Sequence, residues 1–436
     1  NLVDMSKQSI GVGIIGIGVI GGAVARGLRD RADRLAEQIG CPIELKKVKV
    51  ASQDMTRPII SEFPPGLFTT DDDEFFDTPG VDIIVEAIGG EFPAFHYLSR
   101  ALSSNRHVVS SNKEVIAKHA AELLELAHQH NVSLRFEASV GGGIPLLEPL
   151  QYDLSANNIK GIYAIINGTT NYILSQMDSE GIEFADALRQ AQGLGYAERN
   201  PVNDIEGYDS VYKLAIMSMM VFRTEFKPDD ILREGITRLE VKDFKYAKEL
   251  GFVIKLLAIA KADDGEVELR VHPVLLPHDN FLSKVDGVYN AALINGDLVG
   301  DVIFSGEGAG PSATSSAVIA DIMAAAQDKA LGVGNRMRWR LDGKRELLPA
   351  NEILTQYYFR LTVADQAGVL AEVAAIFNDN AISIASVLQK EVDEASESAE
   401  VIIMSHLARE SAIRRAVETL QLLECIKAVN IIRVGL

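Results

Sequence analysis

The stretch Ile10-Gly11-Val12-Gly13-Ile14-Ile15-Gly16-Ile17-Gly18-Val19-Ile20-Gly21 decides the fold. Its first six residues are apolar or small and read as a short buried strand. The pattern G-x-G-x-x-G, with Gly16, Gly18 and Gly21, follows at once, and an amphipathic stretch runs on to about Ile39. Glycines cluster in turns for many reasons, but a strand before them and a helix after them is the context of a dinucleotide loop. There Gly16 permits the tight turn, Gly18 the approach of a pyrophosphate, and Gly21 the packing of helix on sheet. The phosphates would sit on the helix N-terminus beside Ile17, Val19 and Ile20.

Working outward, Val48–Ala51, Val81–Val85, His107–Ser110 and Val132–Phe136 read as further strands, with helical stretches such as 117–130 among them. Strands alternating with helices mean a parallel sheet with crossovers, so residues 1–140 read as a doubly wound, Rossmann-type α/β domain. After Gly141-Gly142-Gly143 the texture becomes mixed α+β over 141–340. A helix at 313–330 is expected to pack back on the first domain. The charged stretch 340–352 reads as a linker. Residues 355–436 follow the order β-α-β-β-α-β, a ferredoxin-like split unit.

The chain has 436 residues, enough for two or three domains, with 47% hydrophobic and 24% charged residues. A net charge of −19 disfavours nucleic-acid and membrane-surface partners. Cys41 and Cys425 stand in no metal-ligand or redox spacing, which suits a reducing cytoplasm. No apolar run approaches the roughly 20 residues of a membrane helix. The polar residues 1–9 carry no signal-peptide pattern, and Met5 reads as the natural start.

Coenzyme choice is written at the end of the second strand. An NAD-selective site has a carboxylate there. This chain has Val50-Ala51-Ser52-Gln53, with Lys46, Lys47 and Lys49 upstream, Arg57 nearby and Asp54 past the expected tip. The reading leans to NADP or to both coenzymes, with Ser52 and Arg57 as contacts; the alternative is that these two are ordinary surface residues. Lys113, after Ser110-Ser111-Asn112, sits at the carboxyl end of the sheet where ligands of such folds bind. It would meet substrate or coenzyme, or else be a solvated loop lysine.

The densest chemistry lies in Gly193–Lys213. Asp209 and Lys213 are four apart and share a helix face. A surface ion pair is the plain reading, but Leu214, Ala215, Ile216, Met217, Met219 and Met220 make this helix apolar nearly all round, hence buried. Buried charges must be compensated, and carboxylates beside one lysine suit an amino-acid site.

Taken together, Asn167-Gly168-Thr169-Thr170-Asn171-Tyr172-Ile173-Leu174, Gly195-Tyr196-Ala197-Glu198, Asp204, Gly207, Asp209 and Lys213 closely resemble the homoserine dehydrogenase signature. Glu86–Gly90, Asn112-Lys113, Glu137–Pro145 and Gly306–Gly310 resemble that family's other blocks in order. The one departure is Ser110-Ser111, where the family commonly has Thr-Ala. Tyr357–Val434 resembles an ACT domain.

The resemblance implies interconversion of L-homoserine and L-aspartate 4-semialdehyde, a step towards threonine, isoleucine and methionine. Lys213 would be the proton donor, and Glu198 and Asp209 would hold the substrate's amino group with support from Asp204. Gly168, Thr169 and Gly195 would line the substrate. Lys113 would stand between coenzyme and substrate, with Ile88, Gly89 and Gly308 or Gly310 near the coenzyme.

It further implies a monovalent cation, sodium, held by Glu137 and the carbonyls of Val140, Gly142 and Ile144. It also implies a homo-oligomer, dimer or tetramer, with an amino-acid effector, threonine first, at the loop 365–370. Two competitors remain: a non-catalytic amino-acid sensor, and a dehydrogenase for another amino-acid semialdehyde. A fused aspartate kinase is not expected ahead of Ile10.

Overall fold

The computed structural model describes residues 9–263, 265–336, 340–393 and 398–435, so Met5 lies outside them. The chain forms two units. One takes the described residues of Asn1–Asn158 with Tyr212–Asp229 and Phe304–Lys344; the other takes Ile159–Val211, Asp230–Ile303 and those of Arg345–Leu436. Among the described residues no helix is long and apolar enough to cross a membrane.

In the first unit six strands are β1 (Ile10–Ile15), β2 (Ile43–Lys49), β3 (Phe68–Thr69), β4 (Ile83–Glu86), β5 (His107–Ser110) and β6 (Leu134–Arg135). All pairs are parallel, in the order β3-β2-β1-β4-β5-β6. Val12, Ile14, Ile83 and Val85 are fully buried, as a sheet covered on both faces demands. The order reverses at β1 and β4, and a crevice opens beyond the carboxyl ends of strands at such a switch point. The helix Pro311–Ala330, with proline in its first turn and an alanine-rich body, packs on the helix Val19–Asp30.

The second unit is built on β7 (Ile159–Ile165), β8 (Leu232–Arg233), β9 (Phe252–Asp263), β10 (Glu266–Pro277), β11 (Tyr289–Gly296), β12 (Gly300–Glu307) and β13 (Glu346–Leu347). The C-terminal part adds β14 (Leu354–Ala364), β15 (Ile384–Asp393), β16 (Ser398–Ser405), β17 (Ala408–Arg409) and β18 (Ile426–Val434), with helices Val369–Asp379 and Glu410–Leu420. That is the expected βαββαβ order with one short extra strand. Tyr357, Phe359 and Leu361 alternate inward against Val373, Phe377 and Ile413.

Two features depart from the sequence reading. The strands β9 and β11 have no counterpart among the expected strands; β9 is buried from Val253 to Ala260 without alternation, so its pattern has no strand period. The stretch 340–352, read as a linker, contains β13, which pairs in parallel with β10 at Glu266↔Glu346 and Val267↔Leu347. The last strand β18 also pairs with β10, at Val274↔Arg433 and Leu275↔Val434, so one sheet runs β12-β11-β7-β9-β10-β18-β14-β16-β15. Buried Arg360 on β14 donates to Asp243 at 2.6 and 3.3 Å, and Arg433 on β18 donates to Glu234 at 2.7 Å.

Candidate active site

The glycine loop performs three separate jobs. Gly16 turns at φ +97°, where a side chain would also press on Ile88. A Cβ on Gly21 would collide with the Gly16 carbonyl, so the helix approaches the strand end this closely only because residue 21 is glycine. A Cβ on Gly18 would meet no protein atom within 4 Å. Gly18 is bare towards open space, and that space belongs to a cavity of about 390 Å³.

Ile15–Gly18, Lys49–Ala51, Asp54, Arg57, Ala87–Gly89, Pro93 and Tyr97 line this cavity. Gly16, Ile17, Gly18, Arg57, Ile88 and Gly89 are therefore together, as a bound dinucleotide requires. Val19 and Ile20 stand with Gly21 in the first helical turn, Val19 largely exposed. Ser52 is exposed on the 3-10 turn Ser52–Thr56 and is not among the lining residues. The strand end read at 48–51 falls at Lys49, which puts Lys49 and Asp54 at the cavity instead.

Beneath the loop after β4 lies a buried carboxylate. Glu86 accepts hydrogen bonds from Ile88 N at 2.9 Å, Gly89 N at 3.2 Å and Ser110 Oγ at 2.6 Å. Burial holds its pKa above the usual carboxylate range against those donors. Asn112 donates to the Gly90 carbonyl at 2.6 Å and accepts from Glu114 N and Val115 N, capping the helix Lys113–Gln129. Lys113 is thus the first residue of a capped helix, half-buried at the carboxyl end of β5.

In the second unit Asp204, Asp209 and Thr170 meet at Asn167. Its Nδ2 donates to Asp204 Oδ1 at 2.7 Å and Asp209 Oδ2 at 2.9 Å, while its Oδ1 accepts from Thr170 N at 2.8 Å and caps the helix Gly168–Glu180. Thr169 Oγ1 donates to the Tyr196 carbonyl at 2.6 Å, fixing the turn at Gly195, whose φ is +78°. Glu198 is exposed, and its carbonyl accepts from Gln192 Nε2 at 3.0 Å. Asp209 is buried, and Lys213 lies one turn on along the helix Tyr208–Phe222, half-buried ahead of the buried run Leu214–Met220. The one amide group of Asn167 thus holds the two carboxylates side by side. Asn167 belonged to the signature but had no role assigned; its signal was an asparagine ahead of a helix.

The one carboxylate among the expected cation ligands is already engaged by backbone donors. Glu137 is buried, and its carboxylate accepts from the backbone N–H of Leu146 at 2.6 Å, Leu147 at 3.0 Å and Glu148 at 2.6 Å, capping the turn Leu147–Gln151. Those donors take three of the roughly four acceptor positions of the carboxylate. Val140, Gly142 and Ile144 are buried in the same loop, where Gly142 packs on the Gly308 backbone. Gly310 precedes the helix Pro311–Ala330 at φ +120°. Among the described residues no group of three or more His, Cys, Asp or Glu is arranged to hold a metal ion.

Family models agree with this geometry. Residues 16–137 match the homoserine dehydrogenase NAD-binding domain, 145–323 match homoserine dehydrogenase, and 357–424 match the ACT domain. A homoserine dehydrogenase of Neisseria gonorrhoeae is 38% identical over 430 residues, 97% of this chain and 98% of the relative. The chain belongs to the homoserine dehydrogenase family. Among solved structures, a homoserine dehydrogenase from Thiobacillus denitrificans superposes with a TM-score of 0.91 at 36% identity, over 99% of each chain. A hyperthermophilic archaeal homoserine dehydrogenase in complex with NADPH matches with a TM-score of 0.62 at 28% identity, over 73% of this chain and 98% of that one. As a homoserine dehydrogenase, the chain is an oxidoreductase with an NAD(P)-binding domain and a C-terminal ACT domain.

Proposed function

We propose that the chain interconverts L-homoserine and L-aspartate 4-semialdehyde, in the biosynthesis of threonine, isoleucine and methionine. The observation that carries this reading is the pair Asp204 and Asp209 on Asn167, with Lys213 one helical turn beyond. A bound nicotinamide supplies the hydride to the aldehyde carbon, or takes it back from the alcohol. As hydride arrives the carbonyl oxygen gathers negative charge, and a proton must meet it. Lys213 is the donor. Glu198 and Asp209 bind the substrate ammonium, Asp204 supports Asp209 through Asn167, and Lys113 adds a second positive charge near the coenzyme.

Arg57 favours NADP, or use of both coenzymes. The intact set of Lys113, Glu198, Asp209 and Lys213 favours an enzyme over a non-catalytic sensor. Threonine is the proposed effector at 365–370, in a cytoplasmic homo-oligomer; rates flat to millimolar threonine would sink that assignment.

The test is Lys213→Ala. Turnover should fall by at least about a hundredfold with coenzyme affinity nearly unchanged, as for loss of a general acid. Lys213→Arg should be nearly as damaging, because guanidinium is a poor proton donor near neutral pH. A variant within about threefold of the parent removes Lys213 from the role. Turnover of another semialdehyde in preference would instead favour the second competitor.

A further inference from the structure

The strand β10 has two edges, and β9 occupies one of them from Glu266 to Pro277. The other edge is shared. There β8 pairs at Arg270↔Leu232 and Val271↔Arg233, and β18 pairs further on at Val274↔Arg433 and Leu275↔Val434. Arg433 spans the gap between them, donating through Nη1 to Glu234 Oε2 at 2.7 Å. Its Nε and Nη2 donate to the two oxygens of Glu410 at 3.0 and 2.8 Å, and Glu410 also accepts from the Tyr357 hydroxyl at 2.7 Å. Arg433 and Glu410 are both buried, so this two-pronged pair makes the guanidinium a fixed post.

The residues around Glu234 lie against the stretch that carries the site carboxylates. Ile236 N donates to the Ile205 carbonyl at 2.8 Å, Arg233 donates to the Glu206 carbonyl, and Thr237 Oγ1 donates to Glu206 Oε1 at 3.1 Å. The Arg233 guanidinium also sits 3.7 Å from the centre of the Tyr208 ring. A Cβ on Gly235 would collide with the Ile205 carbonyl, so the two backbones touch there. Asp204 directly precedes this contact and Asp209 directly follows it.

We propose that Glu234 is a positioning residue for the reaction: tied to Arg433, it holds residues 233–237 as the wall that sets Asp204 and Asp209. The proposal rests on the reading of those two carboxylates as part of the substrate site. Glu234 acts through the wall, and the strand β18 thereby serves substrate affinity as well as folding.

The need for such a tie follows from how little else holds the wall. The strand β8 has only 2 residues, and past it the Glu234 amide donates to the Val271 carbonyl at 2.8 Å before the chain leaves the sheet. A pairing that short is weak by itself. A charged hydrogen bond to a buried, immobile guanidinium is among the stronger contacts a side chain can add. Without it the wall drifts, and carboxylates that must meet an ammonium at hydrogen-bonding distance lose affinity through small displacements.

The experiment is steady-state homoserine oxidation by the full-length protein, with thermal unfolding of each variant. Glu234→Ala should raise the homoserine KM about tenfold, the worth of one charged hydrogen bond, and leave kcat and the coenzyme KM within about threefold. Glu234→Gln, whose amide oxygen still accepts from Arg433, should return the homoserine KM to within about threefold of the parent. Should Glu234→Ala not fold, Glu234→Asp carries the test, because it keeps the charge but falls one methylene short of Arg433, and the same rise in KM is expected. A homoserine KM within about twofold of the parent in the folded variant overturns the proposal, and so does a loss confined to kcat. Asp209→Asn separates the two readings. If it raises the homoserine KM while the Glu234 variants do not, the positioning role alone falls; if it leaves that KM unchanged, the carboxylate reading falls and takes the positioning role with it.

Discussion

Glu86 at the end of β4 accepts the Ser110 hydroxyl at 2.6 Å from the end of the neighbouring β5, and both side chains are fully buried. The same carboxylate holds the amides of Ile88 and Gly89, which line the coenzyme cavity. One buried group therefore ties a coenzyme loop to the strand that leads into Lys113. Ser110→Ala should cost about 1–3 kcal/mol of stability, since a buried acceptor loses a donor. It should also raise the coenzyme KM several-fold. Thermal unfolding and a KM titration check both; an unchanged KM would leave Glu86 a purely structural residue.

Gly18→Val separates packing from binding. No protein atom lies within 4 Å of a Cβ there, and φ is −66°, so the fold should accept valine with a loss within about 1 kcal/mol. Coenzyme binding should vanish, and with it the rise in melting temperature that a bound ligand gives. Gly21→Val should instead fail to fold, because its Cβ collides with Gly16. Coenzyme protection of Gly18→Val would contradict the phosphate-loop assignment.

Arg360 and Asp243 are both buried and paired, with Asn430 donating to the same carboxylate at 2.6 Å. Arg360→Met should destabilise by about 3–5 kcal/mol because it leaves a buried charge alone. The double variant Arg360→Met, Asp243→Leu should recover much of that loss, which denaturant unfolding would measure. Truncation after Leu348 removes Arg360, Asn430 and Arg433 together, so the shortened chain should unfold more easily. A truncated chain as stable as the parent would mean that the C-terminal part is a detachable module.

Asp321 is buried on the helix Pro311–Ala330 and accepts from Glu137 N at 3.0 Å; burial pushes its pKa up to about 8. The folded state therefore keeps a proton that the unfolded state releases near pH 4. Between about pH 4 and 8 the unfolded chain binds fewer protons, so this group lowers stability as pH rises. Asp321→Asn should remove that loss. Its stability gain over the parent should grow across the window, by at most about 1.4 kcal/mol per pH unit. A gain independent of pH would show that Asp321 is ionised throughout.

Short-range patterns carried much of the fold. The run Ile10–Gly21 announces its strand, turn and helix because each glycine's task involves neighbours a few residues away. The βαββαβ order of the C-terminal part is likewise written in local periodicity, and Asn112 and Asn167 sit at helix starts where capping chemistry puts them. The strand β9 was illegible because a run buried on both faces loses the alternation that marks a strand.

By itself the sequence determined the dinucleotide loop, the family signature and the two carboxylates near Lys213, since these are matters of residue type and spacing. Only the tertiary structure decided that Asn167 joins Asp204 to Asp209, that Glu137 accepts from the amides of Leu146, Leu147 and Glu148, and that Arg57 holds Asp54 at the cavity rim. It likewise joined β18 and β13 to β10 across what reads as a linker. The reason is physical: a side chain's partner is settled by which donors and acceptors folding brings within about 3 Å, and most of these lie far away along the chain.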